Sequence, residues 1–92
     1  MALGRRLHLL HLTPHLGGGV GRALVSLAEG DRLGPEPAPL RVVLCLEPPE
    51  KQGPVRALQA LGVAVHTLTD WSDLAPMVAR HDLVQCETWN HP

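Results

Sequence analysis

The stretch Thr13-Pro14-His15-Leu16-Gly17-Gly18-Gly19-Val20-Gly21-Arg22 holds the residue types best suited to chemistry in this chain. Glycines let a backbone come close to a ligand, and a helix that starts among them offers free N–H groups to an anion. Arg22 falls in the first turn of the helix that follows, where the helix dipole disfavours a cation, so a bound phosphate would account for it. The alternatives are an ordinary exposed arginine and a flexible turn that packs the helix close to the sheet. The loop fails two known fingerprints. Starting the G-x-G-x-x-G frame at Gly17 puts Arg22 at the third glycine, and starting at Gly19 puts Leu24 there; no Gly-Lys-Ser/Thr follows. Neither a dinucleotide nor any other resident cofactor is expected.

Three further groups carry polar residues. Glu47 could imitate a ribose-binding acid, but Pro48-Pro49 behind it favours a rigid loop or an acceptor contact. Glu87, Trp89, Asn90 and His91 close the chain, and a frayed, solvated end is their alternative reading. Six histidines invite a metal, yet His8 and His11 have no carboxylate or cysteine at a recognised ligand spacing and fall within a strand. No metal site is expected, and no G-x-S-x-G elbow is present.

The elements that must position these residues alternate. Residues 6–12 are an apolar run ended by Thr13-Pro14, read as β1. Val20, Ala23, Leu24, Leu27 and Ala28 repeat at helical spacing up to Gly30, which is expected to stop α1. Residues 30–39, rich in proline and glycine, form a loop into β2 at 40–46. Gly53-Pro54 opens α2 and Gly62 closes it. Residues 63–68 alternate as β3, Ser72 or Asp73 caps α3, which holds Pro76 in its first turn and runs to about residue 80, and residues 83–86 form β4.

Strands and helices at this spacing predict an α/β fold, a partial Rossmann-like parallel sheet of four strands in the order 3-2-1-4 with three helices. In that order α1 and α2 cover one face and α3 alone the other, so the piece reads as an incomplete domain whose missing layer lies in further chain or in a partner. Ligands of open α/β sheets bind beyond the carboxyl ends of the strands where strand order reverses, here between β1 and β4. The β1–α1 loop with His15 and the tail after β4 are expected to converge there. Cys45 and Cys86 would flank β1 about 9 to 10 Å apart, too far for a disulfide, each as a small buried hydrophobe.

Composition narrows the function classes. Ninety-two residues make at most one domain. With 8 Lys+Arg against 9 Asp+Glu and no basic run, nucleic acid and anionic membranes are poor partners. No apolar stretch approaches the roughly 20 residues of a membrane span. The opening Met1 to Arg6 and its leucines faintly resemble a secretory leader, but histidines interrupt them and no small-x-small cleavage site follows, so they read as the first strand. Two cysteines in apolar runs make no disulfide framework, and a cytoplasmic, reducing setting is expected.

Leu9 to Pro14, then Gly17 to Arg22, with Val42 to Pro49 and the closing Trp89-Asn90-His91-Pro92, together resemble the start of group-1 glycosyltransferases of the GT-B class. The resemblance spans essentially the whole chain and implies that residues 1–92 are the N-terminal, acceptor-side part of a two-domain enzyme. Such an enzyme moves a sugar from a nucleotide-sugar donor to an acceptor hydroxyl, with the donor held by a C-terminal domain that is not in this chain. By the same resemblance Gly17, Gly18, Gly19, Gly21 and Arg22 would face the donor diphosphate. His15, Glu47, Asn90 and His91 would contact sugar or acceptor. The competing expectation is a non-catalytic α/β module that binds a nucleotide or phosphate.

Overall fold

A computed structural model describes residues 6–87. Its elements run β1 (His8–Thr13), α1 (Gly19–Leu33), β2 (Leu40–Cys45), α2 (Gly53–Ala60), β3 (Ala64–Thr67), a 3-10 turn (Trp71–Asp73), α3 (Leu74–Ala79) and β4 (Leu83–Cys86). The four strands form one all-parallel sheet in the order β3-β2-β1-β4, so the α/β architecture and the strand order expected from the sequence are both present. None of the helices among the described residues is long and apolar enough to cross a membrane.

Register decides which side chains share a face. His11 is level with Val43 and Gln85, and Val43 with Val65, while Thr13 is level with Cys45. Alternation along each strand puts His11, Thr13, Arg41, Val43 and Cys45 on one face. The same face receives the buried stripe of α1 (Val20, Leu24, Ala28) and Val55 and Leu58 of α2, which with Leu16 and Val63 make the main core. Leu10 and Leu44 are buried on the opposite face. The right-handed crossover rule brings α3 to that side on the way from β3 to β4. With only six residues and no buried side chain, α3 covers little of it.

Two helix ends differ from the sequence expectation. Gly30 does not stop α1, which continues through it to Leu33. A glycine inside a helix costs about 1 kcal/mol relative to alanine, and tertiary bonds in the last turn offset this. Asp31 pairs with Arg41, and Arg32 donates to the Ala60 carbonyl. The helix ends instead at Gly34, ahead of Pro35, Pro37 and Pro39, and the loop shortens to 34–39. The entry to α3 is capped by Asp70 rather than by Ser72 or Asp73. The Asp70 carboxylate accepts the Ser72 N–H at 2.9 Å, and Asp73 makes no side-chain cap bond. An aspartate reaches the N–H two residues ahead most easily, which moves the cap upstream of a 3-10 turn.

The end of α2 follows the expected pattern. Gly62 takes φ +84°, its N–H bonds the Gln59 carbonyl, and the Val63 N–H bonds Leu58. This is the Schellman arrangement that turns the chain into β3. Cys45 and Cys86 lie on strands flanking β1, at the levels of Thr13 and Leu12, and both are free thiols. Cys45 is buried as expected. Cys86 is exposed: level with Leu12, it lies on the face that α3 covers little of, and the other β4 residues are exposed as well.

Candidate functional site

The chain leaves β1 through Thr13, whose Oγ1 donates to the His15 carbonyl at 2.5 Å, and the Gly17 N–H returns to His15 Nδ1 at 3.0 Å. Leu16, buried in the main core, pins this loop from below. Gly18 then takes φ +60°, a conformation L side chains rarely adopt, and starts α1 with no side-chain cap. The N–H groups of Gly18, Gly19, Val20 and Gly21 therefore lack intrahelical partners. Opposite them, Leu46 and Glu47 extend the β1–β2 ladder by donating to the Thr13 and Pro14 carbonyls. This fixes where the following turn, Pro48 to Gln52, meets α2. The α2 start has Pro54 in its first two positions and likewise no side-chain cap.

Between these two turns opens a cleft of about 750 Å³ lined by His15, Gly17, Gly18, Gly21 and Arg22 from the first loop and by Glu47, Pro48, Pro49, Glu50, Lys51 and Pro54 from the second. Among the described residues, Arg22 and Lys51 have no salt-bridge partner. Arg22 and Lys51 share this cleft with Glu47 and Glu50, so its side-chain charges balance, and the two uncapped helix starts add the positive ends of their dipoles. Glu47 and Glu50, on the same wall, add acceptors for hydroxyl or amine groups.

The glycines divide by role. Gly18 supplies the backbone conformation. Gly21 supplies close approach, since a Cβ there would sit 2.4 Å from the Leu16 carbonyl oxygen and 3.0 Å from Pro54 Cβ. The packing reading of the loop thus holds at Gly21, with α2 rather than the sheet as the neighbour. Gly19 faces open space and is not on the cleft wall. Asn90 and His91 lie outside the described residues.

Sequence reasoning missed two groups. Glu50 and Lys51 join the cleft from the β2–α2 turn, and their position just beyond the carboxyl end of a predicted strand was the available signal. The second group is a polar chain across the α1 side of the sheet. Arg41 forks onto Asp31, with Nε to Oδ2 at 2.6 Å and Nη2 to Oδ1 at 3.1 Å. Its Nη1 reaches Nε2 of His11 at 3.1 Å, and Nδ1 of His11 reaches Oε1 of Glu87 at 2.9 Å. His11 is fully buried and Glu87 retains 20 % side-chain exposure. A guanidinium only donates, so Nε2 accepts and the ring proton sits on Nδ1, donated to Glu87. Nothing in the spacing of residues 31, 41, 11 and 87 announces this chain; parallel register assembles it.

A smaller hollow of about 290 Å³ lies at the other end of the sheet, lined by Arg6, Asp31, Arg32, Glu36 and Arg41 among others. Its arginines are occupied: Arg6 donates to the Ala38 and Pro39 carbonyls, Arg32 to Ala60, and Arg41 to Asp31. It is an internally paired hollow that ties the 34–39 loop to the sheet. Comparison with protein-family models, curated proteins and solved structures finds no match to this chain.

Proposed function

We propose that this chain is the acceptor-side part of a glycosyltransferase, and that its cleft helps hold the diphosphate of a nucleotide-sugar donor. The observation that carries the reading is the meeting of Arg22, Lys51 and the uncapped start of α1 on one cleft beyond the carboxyl ends of β1 and β2. Transfer breaks the bond between the anomeric carbon and the diphosphate, whose oxygen leaves with the electron pair, as an acceptor hydroxyl adds to that carbon and passes its proton to the departing diphosphate. Oriented N–H groups and two cations stabilise the charge that develops on the leaving oxygen more than they stabilise the bound donor, which lowers the barrier. A second Rossmann-like domain would hold the nucleoside and close the other wall.

A runner-up follows from the same cleft. Arg22, Lys51 and the uncapped start of α1 all belong to this chain, which also suits a module that binds a phosphorylated ligand without chemistry. The natural protein carrying this chain, incubated with a panel of nucleotide-sugars, distinguishes the two. Release of nucleoside diphosphate from at least one donor, lost on Gly18→Val plus Gly19→Val in a protein with an unchanged far-UV spectrum, is the expected result. Binding of phosphate ligands with no turnover of any donor would favour the module. Full activity in the double variant would remove the loop from the mechanism.

A further inference from the structure

The solvent faces of the helices differ in kind. α1 shows Arg22, Ser26 and Glu29 to water and α2 shows Arg56 and Gln59, whereas α3 is Leu-Ala-Pro-Met-Val-Ala, without a polar side chain on any side. Leu74 and Met77, three positions apart, are half-buried, which marks the side turned toward the rest of the molecule. Ala75, Pro76, Val78 and Ala79 are exposed, and Trp71 just ahead of them is 69 % exposed. A helix apolar all round belongs between two layers, and the sheet supplies only one.

Charge indicates what the other layer is. Opposite charges bracket the apolar segment, with Asp70 and Asp73 at its start and Arg80 at its end. Among the described residues, neither Asp73 nor Arg80 has a salt-bridge partner. A segment acidic at one end and basic at the other is complementary to its own reversed copy. A two-fold axis through the middle of α3 sets two copies antiparallel. Ala75 then stands level with Val78 of the second copy, and Asp73 with its Arg80, and symmetry repeats both contacts. The opposed helix dipoles favour the same arrangement.

We propose that the exposed face of α3, together with Trp71, is the surface through which two copies of this chain associate, with an Asp73–Arg80 pair on each side of an apolar centre. Trp71 is the apolar anchor, since a large exposed indole gains most from being covered. The proposal is independent of the glycosyltransferase reading. One short helix face falls well below the roughly 800 Å² per partner of a standard interface, so the dimer is weak and concentration-dependent.

Sedimentation equilibrium of the natural protein from about 10 µM to about 1 mM tests this, the range in which a small interface should assemble. The weight-average mass should climb from one copy toward two. Arg80→Asp sets acid against acid at both pairs and should weaken association about 10-fold or more, as should Asp73→Arg. The two together rebuild the pairs in the reversed sense and should return association to within about 3-fold of the natural protein. Trp71→Ser should weaken it about 10-fold. All three side chains are exposed, so far-UV spectra of the variants should match that of the natural protein. A mass of one copy throughout the range would overturn the proposal, as would association that neither charge reversal weakens. Loss in both single reversals without recovery in the double one would assign the face to a different partner and overturn the second copy as its occupant.

Discussion

β2 and β4 both pair in parallel with β1, one on each side, yet Val43, Leu44 and Cys45 of β2 are buried whereas all four residues of β4 are exposed. Their sequences, Leu-Arg-Val-Val-Leu-Cys and Leu-Val-Gln-Cys, are of similar apolar character. The difference is coverage. β2 lies beneath a 15-residue helix and an 8-residue one that share a core, while β4 is an edge strand that adds no residue to that core on one face and meets on the other a 6-residue helix with no buried side chain. A strand's burial is therefore a property of its neighbours.

The contrast predicts unequal costs for equal truncations. Leu58→Ala, on the α2 face that covers β2, should lose about 2–5 kcal/mol of stability through lost transfer energy and a residual cavity. Leu83→Ala on β4 should lose less than about 0.5 kcal/mol, because a side chain 59 % exposed has little to give up. Urea unfolding of the two variants measures both, and similar losses would mean that β4 is covered in solution.

Within the glycine loop the same distinction separates crowded from open backbone. Gly21→Ala should cost about 1–3 kcal/mol, since the new methyl meets a carbonyl oxygen and Pro54 that cannot both retreat. Gly19→Ala meets nothing and, by restricting the unfolded chain, should be neutral or stabilising by about 0.4–1 kcal/mol. A destabilised Gly19→Ala would show that its neighbours are closer than they stand here.

The cysteines give a chemical version of the comparison. Cys86 should react with a thiol reagent in the folded protein, and Cys45 only after unfolding. Burial also pushes the Cys45 thiol above its ordinary value of 9.0. The stability tied to keeping it neutral is fully present below that value and is lost as pH rises through the higher folded value. Rapid labelling of both thiols at neutral pH would contradict the buried environment of β2.

The smallest effect belongs to Asp70, at the entry to α3. The Ser72 backbone N–H, and after it the Ser72 side chain, hold the Asp70 carboxyl below its ordinary value of 3.8. Its contribution is present above that value and disappears as pH falls through the lower folded value. An NMR titration of Asp70 with a midpoint at or above 3.8 would contradict the cap.

Much of this fold was legible in the sequence because local signals are strong where they occur. Apolar runs bounded by glycine and proline mark the strands, and Gly53-Pro54 and Gly62 mark the ends of α2. Gly30 misled because its cost is local while the bonds from Asp31 and Arg32 that outweigh it come from residues 10 and 28 positions away. The candidate site was legible in part. His15, Gly17, Gly18, Gly21, Arg22 and Glu47 do line one cleft, but it opens toward the β2–α2 turn and recruits Glu50 and Lys51.

The sequence by itself determined the alternation of strands and helices, the parallel sheet with its order, and the glycine loop at the carboxyl end of β1. Periodicity, turn chemistry and crossover handedness act over short spans or follow from chain order. Only the tertiary structure decided that Gly21 serves contact with Pro54, that β4 is exposed where β2 is not, and that His11 belongs to a hydrogen-bonded chain from Asp31 to Glu87. Those outcomes depend on register and on which element covers which face, and residues 76 positions apart in sequence meet only once both are set.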